Sequence, residues 1–466
     1  MWLIVAVILC VVLGYLVVEP ASSGARGGIA ALFYSCLALC FGIGMFSVVF
    51  LLARALNIVH VFKADLMAVT LLTTFRLVAR RRRKLNLDPD QTSNSDLPKP
   101  LRLLLIAAFA ISICVAAYAL AVRAIAHPHG DGWDAFAIWN LHARFLFLGE
   151  MHWRDGFSSL LPWSHPDYPP LLPGAIAHLW TYLDSDAPAV PVALGLGFTA
   201  ATAAFLYASI AIRRGHDSAM LGTVTLLSTP FFIEQGAAQY ADIPLAFFFL
   251  ATIALLNLGW SGGSRRLLVL AGLAAGFAAW TKNEGLLLLL SAIIGQGLSL
   301  LLEKPSVGPR NLRRLAASCA GAAPLLVLIA WYKQFLAPPG DLFASPTSMV
   351  AKLTTFSRYW VVLQWYGKEF LRFGGWWIVP LTVALPVLYF VFPHGQSEEH
   401  RMALRASIWT LGLTVMGYFA IYVITPNELY WHLRFSLNRL FLAAWPSVLF
   451  LFFSCVSFRS ADKVSN

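Results

Sequence analysis

Unbroken apolar stretches of about 18 residues or more recur along the whole of this 466-residue chain, each long enough to cross roughly 30 Å of hydrocarbon as a helix. In lipid, every backbone polar group must be satisfied inside the spanning structure, which leaves α-helices or a closed β-barrel. A barrel would show apolar and polar residues in alternation, a pattern missing here. Only 12% of residues are charged, against about a quarter in soluble domains, and the mean hydropathy is +0.69. The expectation is an all-α polytopic membrane protein with about twelve spans. They fall near 2–18, 29–53, 102–124, 188–211, 218–233, 242–259, 266–281, 284–302, 314–335, 376–393, 404–424 and 440–458.

Most of the 34 Lys and Arg fall on one side of this map, among them Arg80 to Lys84, Arg213, Arg214, Arg265, Arg266, Arg310, Arg313 and Arg314. An excess of basic residues marks the cytoplasmic side. Both termini are then expected inside, with the large loops near 125–187 and 336–375 outside. The net charge of +11 follows from this topology and calls for no nucleic-acid partner. Residues 66–78 are apolar but short and run into Arg80 to Lys84, so they read as a helix on the cytoplasmic leaflet. The polar tract 85–100 reads as a linker. The expected organisation is an N-terminal two-span hairpin with interfacial helix and linker (1–100), a main transmembrane module (101–458) and a cytoplasmic tail (459–466). The first apolar run has no basic residue before it, which argues for a retained span over a signal peptide. All six cysteines lie in apolar runs without disulfide or metal-ligand spacing and read as small core residues.

Chemistry is to be sought where the apolar pattern breaks. The stretch from His127 to Arg144 carries His129, Asp131, Trp133, Asp134, Trp139, Asn140 and Arg144. Asp134 opens a helix over 135–148 that would lie in the outer interface, with Asn140 and Arg144 on one face and Gly149 as the left-handed residue after it. A cap alone leaves the surrounding acids and aromatics without a role. The segment His165-Pro-Asp167-Tyr168-Pro-Pro-Leu turns rigidly back towards the membrane. Asp242 stands at the mouth of a span, where an acid is costly unless paired or wet, and it can equally serve as a helix cap. Lys282 and Glu284 share a turn with no room for a loop. They either neutralise each other or present an ammonium at a helix start to a phosphate. On a helix, His432, Ser436 and Arg439 share a face and could clamp an anion, with Glu428 placed to orient the imidazole; the alternative is an aromatic interfacial belt. No phosphate-binding loop, nucleophile elbow, HExxH zinc motif or dinucleotide fingerprint occurs.

These segments, in this order, resemble the GT-C membrane glycosyltransferases, most of all the protein O-mannosyltransferase and lipid A aminoarabinose transferase group, glycosyltransferase family 39. The resemblance covers about 102–458 and implies a polyprenyl-phosphate-linked sugar donor with a lipid, glycan or protein acceptor. By position it makes Asp134 the catalytic acid of the first loop. Two departures stand out. The family often has Asp-Glu where this chain has Asp134-Ala135, and its Lys-Pro-Pro-Leu becomes Tyr168-Pro-Pro-Leu, so His165, Lys282 or Arg439 must replace the phosphate-binding lysine.

Transfer from such a donor needs one carboxylate to take the acceptor's proton and positive charge for the departing phosphate. The roles expected are Asp134 as base, Asp242 as sugar or acceptor contact, and Lys282 and Arg439 at the phosphate. Asp131, Trp133, Asn140, Arg144, His165, Asp167, Tyr168, Glu284, His432 and Ser436 are expected around the substrates. A divalent cation stays open, since Asp131, Asp134, His129 and His165 carry ligand atoms but their spacing specifies no centre. The rival reading is a transporter or lipid flippase, which would place ionisable residues and broken helices at mid-membrane.

Overall fold

The computed structural model describes residues 2–22, 27–78, 97–302, 308–340, 342, 346–376, 380–391 and 398–456. No strand occurs among them. Nine of their helices are long and apolar enough to cross a membrane. These are α1 (Trp2–Ser22), α2 (Gly28–Ala55), α4 (Lys99–Ala126), α7 (Ala189–Arg214), α10 (Asp242–Ser261), α12 (Asn283–Leu301), α13 (Pro309–Phe335), α17 (Glu398–Ile424) and α18 (Leu429–Cys455).

The shorter helices explain the difference from twelve. The run expected to span at 218–233 is two helices, α8 (His216–Leu227) and α9 (Pro230–Ala237). Pro230 sits at the start of α9, where its missing N–H does no harm, and Thr229 before it is extended. α11 (Arg265–Thr281) has 17 residues and α16 (Leu381–Val391) has 11. The remainder of the expected span 376–393 lies partly outside the described residues, as do Arg80 to Lys84, the linker to residue 96 and the tail 459–466. α3 (Val61–Val78), α5 (Asn140–Leu148), α6 (Leu171–Leu183), α14 (Pro346–Leu353) and α15 (Phe356–Arg372) complete the set.

α10 is the centre. Its sequence is apolar on every side, and nearly all of it is buried, including Phe247, Phe248 and Phe249. α7, α11, α17 and α18 pack around it. The start of α10, the turn between α11 and α12, the end of α13 and the start of α18 meet at one face of the bundle; the candidate site lies there.

The N-terminal region departs from expectation. α1 and α2 are antiparallel and in backbone contact. A Cβ on Gly14 would lie 1.7 Å from the Ala38 carbonyl oxygen, and one on Gly42 would lie 2.1 Å from that of Cys10, so only glycine permits the approach. α3 runs parallel to α1: Trp2 meets Phe62 at one end, and Arg76 pairs with Glu19 at the other. Phe33, near the start of α2, packs on Phe205, near the end of α7, whereas Arg54 at the end of α2 donates to the Phe147 carbonyl beside the site. α3 therefore runs from the site face to the opposite face. α1, α2 and α3 pack as a three-helix unit, and α1 begins on the site face while α18 runs from that face towards the other. Lys63, Asp65 and Arg76 interrupt the apolar run of α3, and the partners of Asp65 and Arg76 lie on other helices.

Candidate active site

Four segments far apart in sequence bring a ladder of alternating charges together. Arg439, in the third turn of α18, donates from Nη1 to Asp134 Oδ2 at 2.6 Å. Its Nε and Nη2 reach Asp242 Oδ2 at 2.8 and 2.7 Å. Lys282 Nζ lies 3.2 Å from Asp242 Oδ1 and 3.2 Å from Glu284 Oε1. Asp242 is only 1% exposed and Lys282 5%. At such burial, charges persist because they are paired and hydrogen-bonded. Burial opposes the Lys282 charge, but the Asp242 and Glu284 carboxylates outweigh it and hold the ammonium protonated more firmly than usual.

Local sequence explains how each side chain is delivered. Asp134 has helical dihedrals and makes no capping hydrogen bond, so its carboxylate is committed to Arg439 and the capping reading falls. The helix continues through a π-helical turn, Ala135–Trp139, into α5. Such turns are rare and recur at functional sites. Gly149 is right-handed, contrary to expectation; the next residue, Glu150, has the positive φ of 43°. Asp242 is the first residue of α10 and spends its carboxylate on the two cations. Lys282 is the extended residue between α11 and α12, which leaves the ammonium free to reach sideways. The neutralising reading of Lys282 and Glu284 is realised in part, since the two do pair.

Tyr168 takes the place of the expected lysine. Its ring stacks on Trp139 (5.8 Å) and His165 (4.7 Å), and Lys282 Nζ stands 5.7 Å from its centroid. An ammonium thus approaches from another helix the position where the sequence lacks one, and meets the face of an aromatic ring. Burial, then Glu284, pushes the Tyr168 phenol well above its ordinary range, so it stays neutral. Arg439 lies 4.9 Å over Tyr240, whose phenol burial and Asp134 push up to about 12.

The other expected residues divide. Asn140 is buried and donates to Gln239, which donates to the Pro128 carbonyl, so it fixes the loop that carries Asp134. Asp167 accepts from Asn283 at 2.7 Å and lies 3.6 Å from Lys333 Nζ. Both adjoin the ladder. Asp131 instead pairs with Arg123, and Arg144 with Asp186 and the Trp180 face, both away from it. Trp133 is exposed against Phe136. His432, Ser436 and Arg439 share one face of α18; His432 bonds Thr425 just after α17, Ser436 bonds Tyr422 on α17, and Arg439 is the one of the three that pairs within the ladder. The Glu428 carboxylate caps α18 by accepting from the Tyr430 and Trp431 amides, while its carbonyl accepts from the His432 amide. Asp131, Asp134 and His165 have separate partners, and among the described residues no three His, Cys, Asp or Glu converge on a metal position.

Sequence reasoning passed over Lys333, Tyr332, Asn283, Gln239 and Tyr240. Tyr332 holds the Tyr168 carbonyl at 2.7 Å, and Lys333 bonds the Asp167 carbonyl and Asn283. Asn283 and Tyr240 adjoin residues already singled out, which was a usable signal; Lys333 at the end of an apolar helix gave none. Three polar atoms around the ladder are buried without a partner: Glu284 Oε2, Asn140 Oδ1 and Trp139 Nε1. Two acceptors and a donor of this kind suit a polyhydroxylated ligand.

Comparison with curated proteins and with solved structures returned no match. Residues 167–332 match the family described as dolichyl-phosphate-mannose-protein mannosyltransferase. That segment carries Asp167, Tyr168, Asp242, Lys282 and Glu284; Asp134 and Arg439 lie outside it. Together with the all-helical membrane architecture, the match supports a membrane glycosyltransferase of the GT-C type.

Proposed function

We propose that the protein transfers a sugar from a polyprenyl-phosphate-linked donor to a hydroxyl or amine of a lipid, glycan or protein acceptor, by single displacement with inversion. The observation that carries this reading is the ladder itself: Asp134, Asp242, Lys282 and Arg439 come from four separate segments and meet at one face. A transporter or flippase does not require that convergence at the helix ends. The acceptor oxygen or nitrogen attacks the anomeric carbon, the bond from that carbon to the phosphate oxygen breaks, and the polyprenyl phosphate leaves with both electrons. Asp134 takes the acceptor's proton. Lys282 and Arg439 stabilise the charge that develops on the phosphate.

Asp134 and Asp242 both pair with Arg439. A phosphate at the Nη1 edge exchanges with Asp134 and frees that carboxylate to act as base. Asp242, more deeply buried and held by two cations, stays in place. Glu284 Oε2 and Asn140 Oδ1 are the acceptors available to sugar hydroxyls. The site is assigned to the extracytoplasmic face, because Arg213, Arg214, Arg265, Arg266, Arg310 and Arg314 lie at the other end of the bundle. Mass spectrometry of envelope lipids and glycans with and without the gene tests the function: one sugar substituent should disappear. An unchanged inventory, together with no transfer by purified protein from a panel of polyprenyl-phosphate sugars, would refute it.

A further inference from the structure

We infer that the α1–α3 unit is part of the active-site scaffold, and that Ser47 on α2 is a positioning residue for Lys282 and Tyr168. Ser47 is fully buried. Its hydroxyl donates to the Pro170 carbonyl at 2.8 Å and accepts from Trp280 Nε1 at 3.1 Å. Pro170 follows Tyr168 by two residues, and Trp280 precedes Lys282 by two. One hydroxyl therefore ties together the two turns whose side chains meet when Lys282 stands over the Tyr168 ring. A Cβ on Gly174 of α6 would lie 2.6 Å from Ser47 Oγ, so glycine at that position lets α6 come this close to α2.

Further anchors lie on either side. The Phe46 carbonyl accepts from His178 Nδ1 at 2.9 Å, and the His178 ring stacks on Phe46. His178 Nε2 lies 3.0 Å from Asp65 Oδ2 on α3, which also accepts from Tyr182 at 2.6 Å. His178 and Tyr182 belong to α6, which starts immediately after the Tyr168-Pro-Pro turn. Arg54 reaches the Phe147 carbonyl in the last turn of α5, the helix entered from Asp134. Simple packing of an added helical unit would need only apolar contacts, such as Phe33 on Phe205 at the far end. Here these hydrogen bonds at the site end terminate on the segments that carry the ladder and its surroundings.

The catalytic consequence rests on the transferase reading; the positioning itself does not. The test compares Ser47→Ala with Phe33→Leu, a core change in the same unit away from the site, in the full-length protein. Ser47→Ala leaves the Trp280 N–H and the Pro170 carbonyl buried without partners. Amide exchange over 165–171 and 280–284 should rise about tenfold in Ser47→Ala and stay unchanged in Phe33→Leu. At a temperature where both remain folded, kcat/KM for the donor should fall about tenfold in Ser47→Ala alone. Ser47→Cys, which keeps a weak donor and acceptor, should recover part of both effects and serves if the alanine variant does not fold. Unchanged exchange at both turns, or an activity loss no greater than that of Phe33→Leu, would overturn the inference. Wild-type protein without transfer would refute the transferase reading, and the exchange arm would still decide the positioning.

Discussion

Replacing Asp134 with Asn separates the two roles proposed for that carboxylate. The substitution keeps size and an oxygen acceptor for Arg439 Nη1, now 2.6 Å from Asp134 Oδ2, but removes the negative charge. As a general base Asp134 contributes ~10²–10⁴ in rate, so transfer should fall by that order. The effect on donor binding has the opposite sign. A hydrogen bond to a charged group contributes ~1.5–3 kcal/mol, and in the wild type the incoming phosphate must displace one of these from Arg439. The side chains are 17% and 22% exposed, so solvent still screens the pair in part, which supports the lower end of that range. A gain of ~1.5 kcal/mol corresponds to about tenfold tighter binding of polyprenyl phosphate. Equilibrium binding of labelled polyprenyl phosphate in detergent and single-turnover transfer on the same preparation read both quantities. Transfer within about threefold of wild type would refute the base assignment. Unchanged or weaker binding would refute the exchange at Arg439.

Asp242→Ala should behave differently, because it strands Lys282 and part of Arg439 in a buried region; a stability loss of about 3–5 kcal/mol is expected as a lower melting temperature in detergent, and an unshifted melt would contradict the ladder. Tyr168→Lys restores the family's lysine but puts a second ammonium beside Lys282 and removes the stacking on Trp139 and His165, so transfer should drop at least about tenfold; a gain in activity would show that the phosphate site had been misplaced. His142, buried behind the loop, has its imidazole pushed down to about 4, first by burial and then by His165. The unfolded chain, with a value near 6.5, then binds more protons between pH 6.5 and 4. Stability from this group is complete above pH 6.5 and falls by about 3 kcal/mol as pH drops to 4, and His142→Gln should flatten that part of a pH series of melts. A cysteine at exposed Val59, between α2 and α3, should react with a membrane-impermeant reagent from the same side as one at exposed Leu160, whereas labelling from opposite sides would contradict the placement of the end of α2 at the site face.

The amino-acid sequence determined the solvent of this fold and the chemistry available to it. Apolar runs with few charges admit only spanning helices, so the helix positions were legible to within a few residues. The charges that interrupt those runs at helix ends marked Asp134, Asp242, Lys282 and Arg439 before any geometry was known. Local chemistry also located the break at Thr229-Pro230 in principle, since a proline that cannot donate starts a helix more readily than it continues one. What stayed illegible depends on partners far away in the chain. α3 carries three charged residues, and nothing local shows that Asp65 finds His178 and Tyr182 or that Arg76 finds Glu19. His432, Ser436 and Arg439 do share one face, but Thr425 takes the first, Tyr422 of α17 takes the second, and the third pairs within the ladder. Lys282 came to stand over Tyr168 through the packing of α11 and α12 against a turn more than a hundred residues earlier, with Ser47 joining the two. Periodicity and hydropathy are local properties of a helix and specify which residues can face a neighbour; which neighbour they meet, and whether a charge in an apolar run is paired, is decided when the helices pack.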